Sequence, residues 1–98
     1  MNIKIHQSYR TVVAICDSEL IGKTFVEGKK QLDLRENFYR GEKKDEKQMI
    51  PLMIDLQKED CTFNIVGEKS VNAAIKAGIV GKEGISKIQG IPYALGLL

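Results

Sequence analysis

The sequence has no tryptophan, one histidine (His6), two cysteines (Cys16 and Cys61) and two prolines (Pro51 and Pro92), and aromatic residues make up only 6% of its 98 positions. Each scarcity excludes something. A lone histidine with no Cys-x-x-Cys or His-x-x-x-His spacing cannot assemble the four ligands of a structural zinc site. Two cysteines are far fewer than a disulfide-dependent scaffold carries. Both stand beside strand-like apolar residues, where a reduced thiol behaves as a small hydrophobe. No apolar run approaches the roughly 18 residues that span a bilayer, and Met1–His6 lacks the apolar stretch of a secretory signal. A soluble cytoplasmic protein with no membrane association is therefore expected. Charge of one sign is also lacking: 15 basic and 13 acidic residues leave +2, too balanced for the electrostatic footprint of a dedicated DNA binder. With no internal repeat and no Pro/Ser-rich linker, residues 1–98 read as a single domain.

What is present is ordinary globular material, 43% apolar and 29% charged. Ile3 and Ile5, then Tyr9, Thr11, Val13 and Ile15, alternate with their neighbours at the strand period of two. They predict an N-terminal hairpin turning at Gln7-Ser8. Asp17-Ser18-Glu19-Leu20-Ile21 then offers an N-cap and one helical turn closed by Gly22. Residues 23–26 and 31–34 predict a second hairpin joined across Glu27-Gly28-Lys29-Lys30. Asp45 and Gln48 have capping-box spacing, and Met49, Leu52, Met53 and Leu56 form an apolar stripe, predicting a helix over about 45–58. Pro51 leaves two readings open there: a helix that bends at the proline, or one that begins near Ile50. Cys61, Phe63 and Ile65 predict a strand, and Val71, Ala74 and Ile75 predict a helix over about 68–77 that stops at Gly78. Two strand-like pieces, 85–89 and 93–95, follow, broken at Gly90-Ile91-Pro92. Strands first and then helix, strand, helix, strand predict an α+β fold with a mixed sheet.

The motifs that invite chemistry have plainer explanations. Gly22-Lys23-Thr24 lacks the glycine a phosphate loop needs five positions earlier, where Asp17 stands, and it leads into a strand instead of a helix. Gly78-Ile79-Val80-Gly81 has the spacing of a nucleotide-gripping GxxG loop, but its two apolar residues suit folding back onto the preceding helix. Cys16-Asp17-x-Glu19 sets a thiol and two carboxylates at a strand-to-helix junction, with Asp17 read as the cap of its own turn and Cys16 as core. Gly67 opens a helix whose exposed N–H groups suit an anion, but Glu68 in its first turn already complements the helix dipole. Gly90-Ile91-Pro92-Tyr93 reads as a rigid turn presenting an aromatic. The whole charge excess lies in 23–47, where Lys23, Lys29, Lys30, Arg35, Arg40 and three further lysines outnumber the acids beside the pair Phe38-Tyr39.

Several of these segments together resemble the family called domain of unknown function 424, small and mostly archaeal proteins. The resemblance rests on Asp17-x-Glu19-Leu20-Ile21-Gly22-Lys23-Thr24-Phe25, Phe38-Tyr39-x-Gly41, Asn64-Ile65-Val66-Gly67-Glu68, Ala77-Gly78-Ile79-Val80 and Gly90-Ile91-Pro92-Tyr93-Ala94, and it spans essentially the whole chain. It implies an archaeal-type cytoplasmic protein and supplies no activity. The last motif commonly reads Gly-x-Pro-His-Ala-Gln in the family; Tyr93 and Leu95 stand here instead, so no histidine chemistry carries over.

The leading expectation is a non-catalytic binding module whose partner is RNA or a translation-associated protein, because cations beside aromatic rings are what unpaired bases stack against. The alternative is a small enzyme or metabolite binder using Cys16, Asp17, Glu19 and Lys23. No catalytic residue, metal or cofactor is assigned. Candidate binding residues are Asp17, Glu19, Lys23, Lys29, Lys30, Arg35, Phe38, Tyr39, Arg40, Gly67, Pro92 and Tyr93. An unpaired sheet edge would also permit a homo-oligomer. If the loops at 17–23, 67–70 and 90–93 converge, ligand binding gains weight.

Overall fold

A computed structural model describes residues 1–97 and has the expected α+β architecture. Eight strands run in chain order as β1 (Asn2–His6), β2 (Thr11–Cys16), β3 (Thr24–Glu27), β4 (Lys30–Asp33), β5 (Glu42–Lys43), β6 (Cys61–Val66), β7 (Ser86–Ile88) and β8 (Ile91–Leu97). The helices are α1 (Glu36–Tyr39), α2 (Glu46–Gln57) and α3 (Glu68–Lys76), with single 3-10 turns at Ser18–Leu20 and Lys82–Gly84. Six strands form one mixed sheet in the order β5-β1-β2-β6-β8-β7, and β3 and β4 form a separate hairpin. Only β2 and β6 are parallel among its neighbours; Thr11 lies opposite Cys61 and Cys16 opposite Val66.

The alternation along the two parallel strands sorts side chains into two cores. Val13, Ile15, Phe63 and Ile65 face α2 and α3, where Met49, Met53, Val71 and Ala74 cover them. Ala14, Cys16 and Val66 face the opposite way, beneath Ile21, Leu32, Leu34 and Tyr39 from the β3–β4 hairpin and its flanks. A sheet buried on both faces explains why β2 reads as a nearly continuous apolar run. The hairpin is tied down beyond its apolar contacts. Gln89 donates from its backbone N–H to Glu27 Oε1 (2.7 Å) and from Nε2 to the Val26 carbonyl (2.8 Å), and Lys30 Nζ reaches the Lys87 carbonyl (3.3 Å).

Helix α2 carries both reciprocal bonds of its capping box, Gln48 N–H to Asp45 Oδ1 (2.8 Å) and Asp45 N–H to Gln48 Oε1 (3.1 Å). Of the two readings of Pro51, the continuous helix is the one observed. At the far end of α3, Gly78 takes φ +76°, its N–H bonds to the Ile75 carbonyl (3.0 Å) and that of Ile79 to the Ala74 carbonyl (2.9 Å), a Schellman ending. Ile79 and Val80 pack onto the α2–α3 core, so the Gly-x-x-Gly stretch is occupied in ending a helix.

Three local expectations are corrected. Tyr9 is fully exposed in a turn over Gln7–Arg10, because β2 starts only at Thr11. The second hairpin closes over two residues, Gly28 and Lys29, with Gly28 at φ +59°. The chain break near the C-terminus falls at Gln89-Gly90, both at positive φ, so Ile91, Pro92 and Tyr93 are strand residues and do not form a rigid presenting turn.

Pro51 withholds one N–H on the exposed side of α2, so the Lys47 carbonyl lacks its helical donor. Pro51→Ala is expected to stabilise the protein by about 1–2 kcal/mol, part of the roughly 3 kcal/mol interior-proline penalty being offset by the freer unfolded chain. Urea denaturation at pH 7 measures it; an unchanged or lower midpoint would refute this account of the helix.

Candidate functional site

β2 and β6 end side by side, so their parallel register carries Asp17 and Gly67 to the same place. Asp17 does not cap its own turn. Its carboxylate instead accepts from the N–H groups that open α3, Lys69 N–H to Oδ2 (3.1 Å) and Ser70 N–H to Oδ1 (2.8 Å), and from the Ser70 hydroxyl (2.7 Å). Gly67 precedes the helix with no side chain to offer, at φ +108° and ψ 155°, a conformation that glycine tolerates and other residues do not. Any Cβ there would also run into Asp17, lying 2.7 Å from its Cβ. The anion-binding position weighed at Gly67 is thus filled from within by the buried Asp17 carboxylate, whose desolvation is compensated by three donors.

Around this interlock the three candidate loops do converge. Asp17, Glu19, Leu20, Glu68, Lys69, Asn72, Gly90, Ile91 and Pro92 line one open cleft of ≈ 450 Å³. Gly67 lies beneath its rim, with its N–H on the Pro92 carbonyl (2.9 Å). Tyr93 is not in the cleft; it is half-buried against the hairpin-side core.

A second concavity of ≈ 570 Å³ gathers residues of the hairpin, α1 and the sheet: His6, Gln31, Leu32, Asp33, Arg35, Asn37, Phe38, Tyr39, Asn64 and Leu95. The His6 and Phe38 rings stack, centroids 4.5 Å apart and 14° from parallel. His6 Nε2 meets the Phe38 carbonyl at 2.8 Å, and since a carbonyl only accepts, Nε2 carries the hydrogen. Asn64 Oδ1 is taken by the Gly96 N–H (2.8 Å), which leaves the Asn64 amide its donor hydrogens. Leu95 is 47% exposed. Arg35 Nε holds Asp33 Oδ2 at 3.0 Å, and that hydrogen bond keeps the Asp33 carboxyl below its ordinary range.

The expected platform of two exposed rings is corrected: Tyr39 is only 5% exposed and packs edge-on against Phe38, so Phe38 alone offers ring surface. The cations of 23–47 are also dispersed. Arg40 pairs with Glu36 and Lys44 with Glu42, while Lys23, Lys29 and Lys30 are exposed along the hairpin and line neither concavity. Sequence reasoning missed His6, Gln31, Asn37, Asn64 and Leu95 in one site and Asn72 in the other. For Asn64 a signal existed, since alternation along β6 turns it away from Phe63 and Ile65.

Cys16, weighed as a reactive thiol, is placed in the core. Cys16 is completely buried beneath the hairpin, its thiol donating to the Asp17 carbonyl (3.4 Å). Burial first, then the Asp17 and Glu19 carboxylates, push its pKa from 9.0 up to about 12. His6 lies in the other concavity and serves no cysteine.

A compact α+β fold with open clefts on its surface is the class this geometry defines. The chain belongs to the family described as protein of unknown function (DUF424), whose profile matches residues 5–96. Its fold is also similar to that in the crystal structure of an uncharacterized conserved protein from Methanopyrus kandleri. That match has a TM-score of 0.80 and 23% identity, over 99% of this chain and 93% of the other. No curated protein matches the sequence. Among the described residues no helix is long and apolar enough to cross a membrane.

Asp17→Ala removes the α3 cap and strands buried donors at Ser70, and it is expected to cost about 3 kcal/mol; Gly67→Ala should cost more than about 2 kcal/mol. Either variant unfolding at the wild-type urea midpoint would overturn the interlock. A pH dependence also follows. Burial, then the neighbouring Cys16, pushes the Tyr39 phenol from 10.0 up to about 12. In the fold Cys16 and Tyr39 keep protons that the unfolded chain releases, so their contribution is intact below pH 9 and is lost as pH rises toward 12. Urea midpoints should fall between pH 9 and 11, less steeply in Cys16→Ala, and native Cys16 should resist iodoacetamide at pH 9.

Proposed function

We propose that the protein is a non-catalytic binding module for single-stranded RNA, held in the concavity formed by His6, Gln31, Arg35, Asn37, Phe38, Asn64 and Leu95. The observation that carries this reading is the co-location of base-recognising chemistry. A stacked aromatic pair and an exposed leucine supply apolar faces, three amides supply the donors and acceptors that match base edges, and Arg35 supplies a cation at the rim. The surrounding hairpin and α1 belong to the segment that holds the chain's entire charge excess, which favours a phosphate backbone approaching from that side. The burial of Cys16 beneath the hairpin, away from both concavities, favours binding over thiol chemistry.

Fluorescence anisotropy with a labelled pool of random 12-nucleotide RNAs tests it. Binding should weaken as salt rises. Arg35→Glu should flatten the salt dependence by about one unit of slope, and Phe38→Ala should weaken binding by roughly 5- to 100-fold through lost stacking. Thermal melts confirm that both variants are folded. No salt-dependent binding to any RNA pool, or equal affinity in both variants, would sink the proposal.

A further inference from the structure

The cleft over Asp17 does not end at Pro92. Glu68, Asn72, Gly90 and Pro92 line both it and a neighbouring depression of ≈ 460 Å³ that continues along α3 past Val71 and Ile75 to Ile85, Lys82 and Lys87. Shared walls make the two one continuous groove. Glu68 to Ile75 alone covers roughly 10 Å of helix axis, the length of about three residues of extended chain. Its middle is apolar, with Ile75, Ile85, Ile91 and Pro92 half-buried above the buried Val71; acid predominates at one end, where Glu19 and Glu68 stand with Lys69, and Lys82 and Lys87 make the other end basic. Glu19 and Lys69 line only the first part, and Lys82 and Lys87 only the second. Among the described residues none of Glu19, Glu68, Lys82 and Lys87 has an ion-pair partner. The groove shares no residue with the concavity proposed for RNA.

We propose that the groove docks an extended linear segment of a partner protein. The segment places a Lys or Arg against Glu19 and Glu68, lays apolar side chains across the half-buried Ile75, Ile85 and Pro92, and turns an Asp or Glu toward Lys82 and Lys87. A small metabolite would fill one half and leave the other charged end unmatched; an extended peptide satisfies both ends and the middle together.

Selection of a displayed library of random linear 12-residue peptides on the full chain tests this. The enriched peptides should share a basic residue, an apolar stretch and an acidic residue in that order along the groove, in one chain direction or the other. Affinity of a labelled consensus peptide should fall about tenfold or more in Asn72→Trp, which fills the shared centre from an exposed helix position, and in Glu19→Lys. Exchanging the peptide's basic residue for Glu should restore binding to Glu19→Lys. Melting curves verify folding, and the Arg35→Glu variant should bind the peptide as the wild type does, which separates this outcome from failure of the RNA reading. No enriched consensus, or a consensus that binds Asn72→Trp unchanged, overturns the proposal. So does light scattering that shows a dimer abolished by Asn72→Trp, since the occupant would then be a second copy.

Discussion

An α-helix opens with N–H groups that nothing inside it can satisfy, and α3 opens beside a glycine that has no side chain to help. The carboxylate that serves those groups comes from Asp17, at the end of a different strand. The parallel register of β2 and β6 brings this contact about, and the contact in turn anchors the start of α3 and floors the cleft above it. Buried carboxylates are tolerated only when well compensated, and here two backbone donors and the Ser70 hydroxyl do so. Gly67 belongs to the same device, because only a residue without Cβ leaves room for the carboxylate.

Much of the fold was legible because its instructions are local. The Asp45 and Gln48 capping box, the apolar stripe of α2, the period of β6 and the Gly78 stop all lie within a few residues of the structure they specify, and the family was legible from its scattered motifs. The site was legible in pieces. Glu19, Asp17 and Pro92 were each candidates, yet their meeting depends on strand order, which no local pattern encodes. Asp17 illustrates the limit: a capping residue at a strand end was readable, whereas which helix it caps was set by a register some fifty residues away. Tyr39 and Tyr93 were misjudged for the same reason, since the hairpin that covers them is positioned by tertiary contacts. The turn at Gln89-Gly90 was obscured by Pro92, whose usual role as a turn residue gives way because its lost donor is tolerated in β8.

The two concavities draw on different parts of the chain. One is built from the charged middle segment laid over the sheet, the other from the ends of the parallel strands and the face of α3. Both expose amides of the kind recognition uses, and the cleft along α3 adds charges without an ion-pair partner among the described residues.

The central parallel pair has a further consequence, for the route by which the molecule assembles. Between β2 and β6 the chain must lay down the hairpin, α1, β5 and the whole of α2 before Thr11 meets Cys61. That closure confines a long intervening loop before it returns any stabilising contact, which places the protein among domains whose folding speed is limited by non-local pairing. The β1–β2 hairpin and α2 are the parts able to form early, and the joining of β2 to β6 is the step for which the rest must wait.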